Sequence, residues 1–167
     1  IKFLDYRKIE GTFDRIVSIG MFEHVGPKNY RTFMEVTEQH LKDGGIFLLH
    51  TIGGNYLDTN PDPWIEKYIF PNGAVPNIGS IGKAVSGIFI VEDWHNFGAD
   101  YDKTLMAWHH NFEKNWEKLK NHYSERFHRM WNYYLLSAAG SFRARDAQLW
   151  QIVLTKGGLP GGYESVR

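Results

Sequence analysis

The stretch that decides the fold is FDRIVSIGMFEHVGPKNYRTFMEVTEQHLKDGGIFLLHTI, residues 13–52. Residues 14–20 form a β-branched apolar run between glycines, and residues 45–52 form a second run of strand length. Between them, residues 27–41 place apolar side chains at helical spacing, with Pro27 near the start and Gly44 beyond the end. This order predicts a βαβ unit with parallel strands, the first of them buried on both faces.

Later segments extend the pattern. Residues 87–92 predict a third strand, residues 102–120 and 124–139 predict two amphipathic helices, and residues 147–156 predict a closing antiparallel strand. The irregular stretch after the second strand contains a short amphipathic piece, residues 64–70, and is typical of a functional lid or insertion. The predicted class is therefore α/β, a mostly parallel sheet with flanking helices.

Composition narrows the class of protein. The chain has 167 residues, long enough for one domain with its own core, which we assign to residues 1–156 with a flexible tail at 157–167. Lys and Arg total 19 against 19 Asp and Glu, which argues against a nucleic-acid binder or a polybasic membrane anchor. The absence of cysteine excludes thiolate metal sites and a cysteine nucleophile. No apolar run approaches the ~20 residues of a membrane span and no signal peptide opens the chain, so we expect a cytoplasmic protein.

Polar side chains follow the predicted strands, where α/β folds bind their ligands. Glu23 follows the first strand and His50 ends the second, apolar one. Because one crossover joins these strands, we expect the two side chains to lie within hydrogen-bonding range. Alternatively, Glu23 caps the next helix and His50 satisfies a backbone carbonyl inside the core. A third polar group, residues 92–95, is expected at the end of the third strand.

Tyr101 precedes a long predicted helix, where its hydroxyl could donate to an anion while its ring lines an apolar cavity. The alternative is an aromatic residue that packs the helix onto the sheet. The histidines show no i, i+4 spacing on a helix, so we predict no metal site. Gly53 and Gly54 lack the context of a phosphate-binding loop and are predicted to form a turn.

Five segments carry a family resemblance: FDRIVSIGMFEHVGPKNY, GIFLLHTIG, DPWIEKYIFPNG, VEDWHNFGADYDKTLMAW and FRARDAQLWQ. They resemble, in order and over nearly the whole chain, the bacterial cyclopropane-fatty-acyl-phospholipid synthases. The resemblance implies the Rossmann-like fold of class I methyltransferases that use S-adenosylmethionine (SAM). It also implies methyl transfer from SAM to the cis double bond of a phospholipid acyl chain, with loss of a proton closing a cyclopropane ring.

The resemblance also assigns roles to residues. It implies bicarbonate as the proton acceptor, held by Glu23, His50, the backbone at Ile52, and Tyr101. Glu23, His50 and Tyr101 are the implied catalytic residues. It implies, more weakly, cofactor contacts at Asp5, Tyr6 and Gly20. The implied partners are a bilayer phospholipid, with peripheral contact at the inner membrane, and a second copy in a homodimer.

The glycine-rich SAM loop of the family has no counterpart in these residues. We therefore expect the chain to be the C-terminal part of a synthase, inactive alone, unable to bind SAM tightly and prone to associate through an exposed sheet edge. Two other functions stay open: a related methyltransferase with another acceptor, and a non-catalytic lipid-binding module. In the latter, the aromatic segment at residues 63–73 would dip into a bilayer surface rather than cover the acyl cavity as a lid.

Overall fold

The computed structural model describes residues 1–56 and 62–166. The strands are β1 (Phe13–Ile19), β2 (Leu41–Gly54), β3 (Ile90–Asn96) and β4 (Ala147–Thr155). The helices are α1 (Tyr30–His40), α2 (Pro63–Tyr68), α3 (Ile78–Val85), α4 (Gly98–Leu119) and α5 (Glu125–Arg143). Short 3₁₀ turns cover Tyr6–Lys8, Phe22–His24 and Pro27–Asn29. The α/β class is confirmed.

The four strands form one mixed sheet in the order β1-β2-β4-β3. β1 and β2 pair in parallel, and β4 pairs antiparallel with both β2 and β3. Three strands therefore run in one direction and β4 runs against them. The predicted antiparallel last strand is present, and it lies between β2 and β3 rather than at an edge.

Apolar side chains bury both faces of the sheet. On one face, Phe47 and Trp150 pack with Phe33 of α1 and Ile81 of α3. On the other, Leu149 packs with residues of α4 and α5. Neighbouring residues of a strand point to opposite faces, which is why Leu149 and Trp150 join different clusters. The helices on the two faces then fix the strand ends where the candidate site lies.

Two expectations for the strands are wrong. β1 is not buried on both faces, since Val17 is 56% exposed and Ile19 is 69% exposed. β1 lies at the edge of the sheet, and Val17 and Ile19 point to the face opposite Ile16, where neither joins the apolar cluster of α4 and α5 among the described residues. Residues 92–95 lie inside β3, which starts later than predicted, and not beyond its end.

Two further local predictions differ from the structure. Gly53 and Gly54 are the last residues of β2 and not a turn. A Cβ at Gly53 would overlap the indole ring of Trp150, so glycine lets β2 approach that ring. α3 was not predicted, and its start is fixed by a capping box in which Asn77 and Ser80 bond each other's backbone.

No helix among the described residues is long and apolar enough to cross a membrane. Residues 157–166 form neither helix nor strand. The predicted flexibility of the tail stays a prediction.

Candidate active site

The candidate site begins where β1 and β2 end side by side. Ile19 is in register with His50, and the amide of Gly20 donates to the His50 carbonyl oxygen at 3.1 Å. Gly20 has a φ of 62°, a left-handed conformation that glycine adopts without strain. The chain therefore turns sharply off β1 into the 3₁₀ turn Phe22–His24, which carries Glu23 towards β2.

Glu23 is a buried carboxylate with one oxygen left unpaired. Its side chain belongs to a residue only 9% exposed. Oε1 accepts the amide of Ile52 at 2.8 Å, whereas the buried Oε2 has no hydrogen-bond partner among residues 1–56 and 62–166. Buried polar atoms are nearly always satisfied, so an orphaned carboxylate oxygen indicates a missing donor. Ile52 thus acts on this site by orienting Glu23, and its contact with an anion stays a prediction.

His50 is half-buried at the same edge of the sheet. The expected direct hydrogen bond between His50 and Glu23 is absent. Within the described part of the chain the Glu23 carboxylate bonds the amide of Ile52 alone, while Gln151 Nε2 lies 3.2 Å from His50 Nδ1. An amide nitrogen can only donate, so Nδ1 accepts and Nε2 carries the ring proton. Burial lowers the pKa of His50, and the nearby charge of Glu23 offsets this in part. The ring is therefore held as a neutral donor.

Tyr101 approaches from the first turn of α4. Its ring packs edge-on against Phe142 of α5, with centroids 4.9 Å apart. Burial raises the pKa of Tyr101, and the negative charge of Glu23 raises it further. The phenol is therefore a protonated donor at neutral pH, as is Tyr134 beside it, whose pKa burial raises to about 12.

The structure thus brings Glu23, His50 and Tyr101 into one electrostatic neighbourhood. The group has one free acceptor, Glu23 Oε2, and two donors, the ring of His50 and the phenol of Tyr101. A small anion that both donates and accepts hydrogen bonds matches this set. The packing role considered for Tyr101 is also observed, because its ring belongs to the cluster of α4 and α5.

The residues to which the resemblance assigns a cofactor contact lie just before and just after β1. Asp5 bonds the side chain of Arg7 and caps the turn Tyr6–Lys8, and the Arg7 guanidinium holds the pKa of that carboxyl well below its usual range. Tyr6 packs edge-on against Phe33 at 5.3 Å. A groove of about 720 Å³ runs along β1 between Tyr6 and Met21. Asp5 is thus engaged by Arg7. Tyr6 and Met21, the residue that follows Gly20, line an open groove.

Residues 63–73, which we call the lid segment, connect the site to α5. Phe70 contacts His24 and Tyr134 edge-on, each with centroids 5.9 Å apart. Trp64 packs edge-on against Tyr133 at 4.5 Å. These contacts favour a lid packed over the site, although Phe70 is still 39% exposed.

Within the described ranges, no three histidine or acidic side chains converge as a metal ion would require. His128 bonds Glu113 at 2.6 Å and stacks on Trp116, and His95 packs against Phe97. These rings serve local packing. Arg143 forms two hydrogen bonds with Asp102, a local ion pair between α5 and α4.

Gln151 and Tyr134 were missed at the level of sequence. Gln151 interrupts the apolar run of β4, which is a signal for a polar contact on one face of the sheet. Its partner His50 is 101 residues away, and that pairing depends on the strand register. Tyr134 lies among other aromatic residues of α5, and no pattern distinguishes it from a core side chain.

Residues 1–152 match the model of the mycolic acid cyclopropane synthetase family. The chain belongs to this family. A crystal structure of a mycolic acid cyclopropane synthase complexed with SAH and CTAB superposes with a TM-score of 0.82 at 28% identity, covering 90% of this chain and 58% of that one. The class I SAM methyltransferase fold predicted from sequence is thus confirmed.

Two curated relatives show how far the family likeness extends. The cyclopropane-fatty-acyl-phospholipid synthase of Escherichia coli K12 is 59% identical over 153 residues, which are 92% of this chain and 40% of that protein. Sphingolipid C9-methyltransferase A of Emericella nidulans is 32% identical over 162 residues, 92% of this chain and 31% of that protein. This family member thus spans well under half the length of these relatives.

Proposed function

We propose that this chain is the C-terminal part of an enzyme that uses SAM to convert the cis double bond of a phospholipid acyl chain into a cyclopropane ring. The observation that carries the proposal is the buried, unpaired Oε2 of Glu23 beside the neutral donors His50 and Tyr101. The 59% identity to the synthase of Escherichia coli supports this choice of reaction within the family.

The polar group fits a bicarbonate ion. Glu23 Oε2 would accept from the hydroxyl of the ion, and His50 Nε2 and the Tyr101 phenol would donate to its oxygens. The Ile52 amide contributes by holding Glu23 Oε1 in a hydrogen bond, so that Glu23 Oε2 faces the ion. When bound, bicarbonate supplies a small base beside the reacting methyl group. The chain's own residues hold and orient it in a site shielded from water.

The aromatic residues around Tyr101 suit a reaction that develops positive charge on the acyl chain. Aromatic faces attract cations, and Tyr101, Tyr134 and Phe142 lie together beside the polar group. The lid segment, through Phe70, covers the same region and excludes water that would add to the cation. Methyl transfer and ring closure thus take place beside apolar rings. The proton is accepted only on the side of the cavity where Glu23 lies.

SAM is the proposed methyl donor. Among the described residues, Ser18 Oγ is buried and unpaired, and it lines the groove of about 720 Å³ along β1 with Tyr6 and Met21. This orphaned hydroxyl and the turn at Gly20 fit one side of a cofactor site. The glycine-rich loop that completes such a site would lie in a preceding part of the protein.

The proposed acceptor is an unsaturated phospholipid reached by peripheral contact at the cytoplasmic face of the inner membrane. Peripheral membrane contact rests on the family resemblance alone, since the aromatic residues of the lid segment pack on His24, Tyr133 and Tyr134. A homodimer stays a prediction from the family resemblance. A methyltransferase with another lipid acceptor is the second candidate, supported by the 32% identity to a sphingolipid methyltransferase.

Product analysis of the full-length protein tests the proposal. It is incubated with methyl-labelled SAM and unsaturated phospholipid vesicles, and the lipids are identified by mass spectrometry. We expect a labelled acyl chain that has gained one methylene unit and no longer contains a double bond. Transfer to sphingolipid vesicles assayed in the same way, with none to phospholipid, would favour the second candidate. No transfer to either lipid would overturn both.

A further inference from the structure

A groove separate from the candidate active site lies between the lid segment and α5. α2 and α5 form a groove of about 310 Å³, lined by Trp64, Tyr68, Arg126, Arg129, Met130 and Tyr133. Arg126 and Arg129 are three residues apart on α5, so their side chains lie on the same face of the helix. Three aromatic side chains therefore line the groove together with the two arginines.

Positive charge predominates in the groove. Among the described residues that line it, two are arginines and none is acidic. Across the described part of the chain, neither Arg126 nor Arg129 forms an ion pair, whereas Arg7, Arg31 and Arg143 each pair with a carboxylate. The pKa of Tyr68 is lowered because its hydroxyl lies beside the cations of Lys67 and Arg126. An anion is the missing partner of this surface.

The groove adjoins the candidate active site through two neighbouring residues of α5. Tyr133 lines the groove and packs on Trp64. Its neighbour Tyr134 turns the other way, contacts Phe70 and lies in the cluster that contains Tyr101. A ligand with an anionic end in the groove could therefore extend an apolar chain past the lid segment towards Tyr101.

We propose that this groove binds the phosphodiester of the phospholipid substrate, with Arg126 and Arg129 as its donors and the rings of Trp64 and Tyr133 against the adjoining glycerol and acyl carbons. Planar guanidinium groups match phosphate oxygens in geometry and keep their charge at any physiological pH. The proposal rests on the proposed function, because it assigns the headgroup end of the same substrate.

Calorimetric titration of the full-length protein tests the groove without requiring turnover. The probes are dihexanoyl phosphatidylglycerol below its micelle concentration, dihexanoylglycerol, which lacks the phosphate, and inorganic phosphate. We expect the parent protein to bind the phospholipid about tenfold more tightly than the diacylglycerol, since hydrogen bonds to charged groups are the strong ones. The double variant Arg126→Gln, Arg129→Gln should lose that difference.

The matched control removes the same charge from the neighbouring helix. Lys114 and Lys118 are exposed on α4 and lie outside the groove, so Lys114→Gln, Lys118→Gln should keep the tenfold preference. If this control lost the preference equally, general electrostatic attraction and not the groove would explain the binding. That result would overturn the proposal. Thermal melts establish that each variant is folded, and Arg126→Lys, Arg129→Lys provides a milder change.

Other outcomes also decide the proposal. Equal binding of phospholipid and diacylglycerol by the parent, or an unchanged preference in the arginine variant, would overturn it. Inorganic phosphate binding as tightly as the phospholipid would assign the groove to free phosphate instead. A protein that shows the phosphate preference but methylates no lipid would refute the proposed function and leave the groove assignment standing.

Discussion

Gln151 determines how His50 presents its ring. Its amide nitrogen lies 3.2 Å from Nδ1 and leaves the proton on Nε2, which faces the side of the ring away from that contact. A buried imidazole without this partner samples both tautomers, and only one of them donates from Nε2. Gln151 is thus a positioning residue that acts through His50.

The variant Gln151→Leu in the full-length enzyme should lower turnover by about tenfold, since losing a hydrogen bond worth about 1–1.5 kcal/mol corresponds to about that factor in rate. Nitrogen NMR of the imidazole should show mixed tautomers. Gln39→Leu, an exposed change on α1, is the control and should leave both readouts unaltered. Normal turnover with a single tautomer in Gln151→Leu would contradict the assigned role.

The pH dependence of stability and turnover follows from His50. The pKa of His50 is lowered, so the folded protein favours the neutral ring relative to the unfolded chain. This contribution to stability is present above the unfolded value near 6.5 and is lost as pH falls towards the lowered pKa. Turnover should therefore persist somewhat below pH 6.5 and then fall, because a protonated Nδ1 can no longer accept from Gln151.

At the scale of elements, β2 and β4 meet most tightly at Gly53. Gly53→Ala should destabilise the protein by about 1–3 kcal/mol, because the added methyl overlaps the buried Trp150 ring. Gly140→Ala in α5, where an added Cβ meets nothing within 4 Å, is the control and should be neutral or stabilising. Denaturant melts measure both, and equal stability of the two variants would refute the packing argument.

The lid segment yields a separate prediction. Trp64→Ser, Phe70→Ser should lower activity while vesicle binding is kept, because these rings pack on Tyr133, Tyr134 and His24. Tyr123→Ser, an exposed aromatic outside the segment, is the control for vesicle flotation and activity. Loss of vesicle binding with activity kept on dispersed lipid would show instead that the segment docks on the membrane.

The elements differ in how far the sequence predicts them. Periodicity located all four strands within a few residues, because apolar runs of strand length are local features. α3 was missed because glycines interrupt its apolar pattern, although Asn77 and Ser80 carry a capping signal. The burial of β1 was misjudged because the burial of a strand depends on which helices pack over its faces, and α4 and α5 do not reach Val17 and Ile19. The contact between Gln151 and His50 depends on register and is not encoded locally.

At the scale of the whole molecule, the exposed edge of the sheet is the main feature expected to cause self-association. Val17 and Ile19 expose apolar side chains on β1, next to unpaired backbone groups at the edge. The 167 residues alone should therefore self-associate, and Val17→Lys, Ile19→Lys should reduce this. Light scattering at high concentration tests it. A monodisperse monomer of the unmodified chain would contradict the expectation.

The central claim is that Glu23, His50 and Tyr101 together hold a small anionic base, and the dependence of turnover on bicarbonate tests it most directly. Methyl transfer by the full-length enzyme is measured in CO₂-free buffer with and without added bicarbonate, for the parent, Glu23→Gln and the control Glu35→Gln, whose carboxylate pairs with Arg31 on the surface. We predict that bicarbonate stimulates the parent and the control. Glu23→Gln should lose more than about tenfold, since a lost hydrogen bond to a buried charge costs about 1.5–3 kcal/mol, and should not respond to bicarbonate. Parent turnover independent of bicarbonate, or a Glu23→Gln variant that responds normally, would contradict the claim.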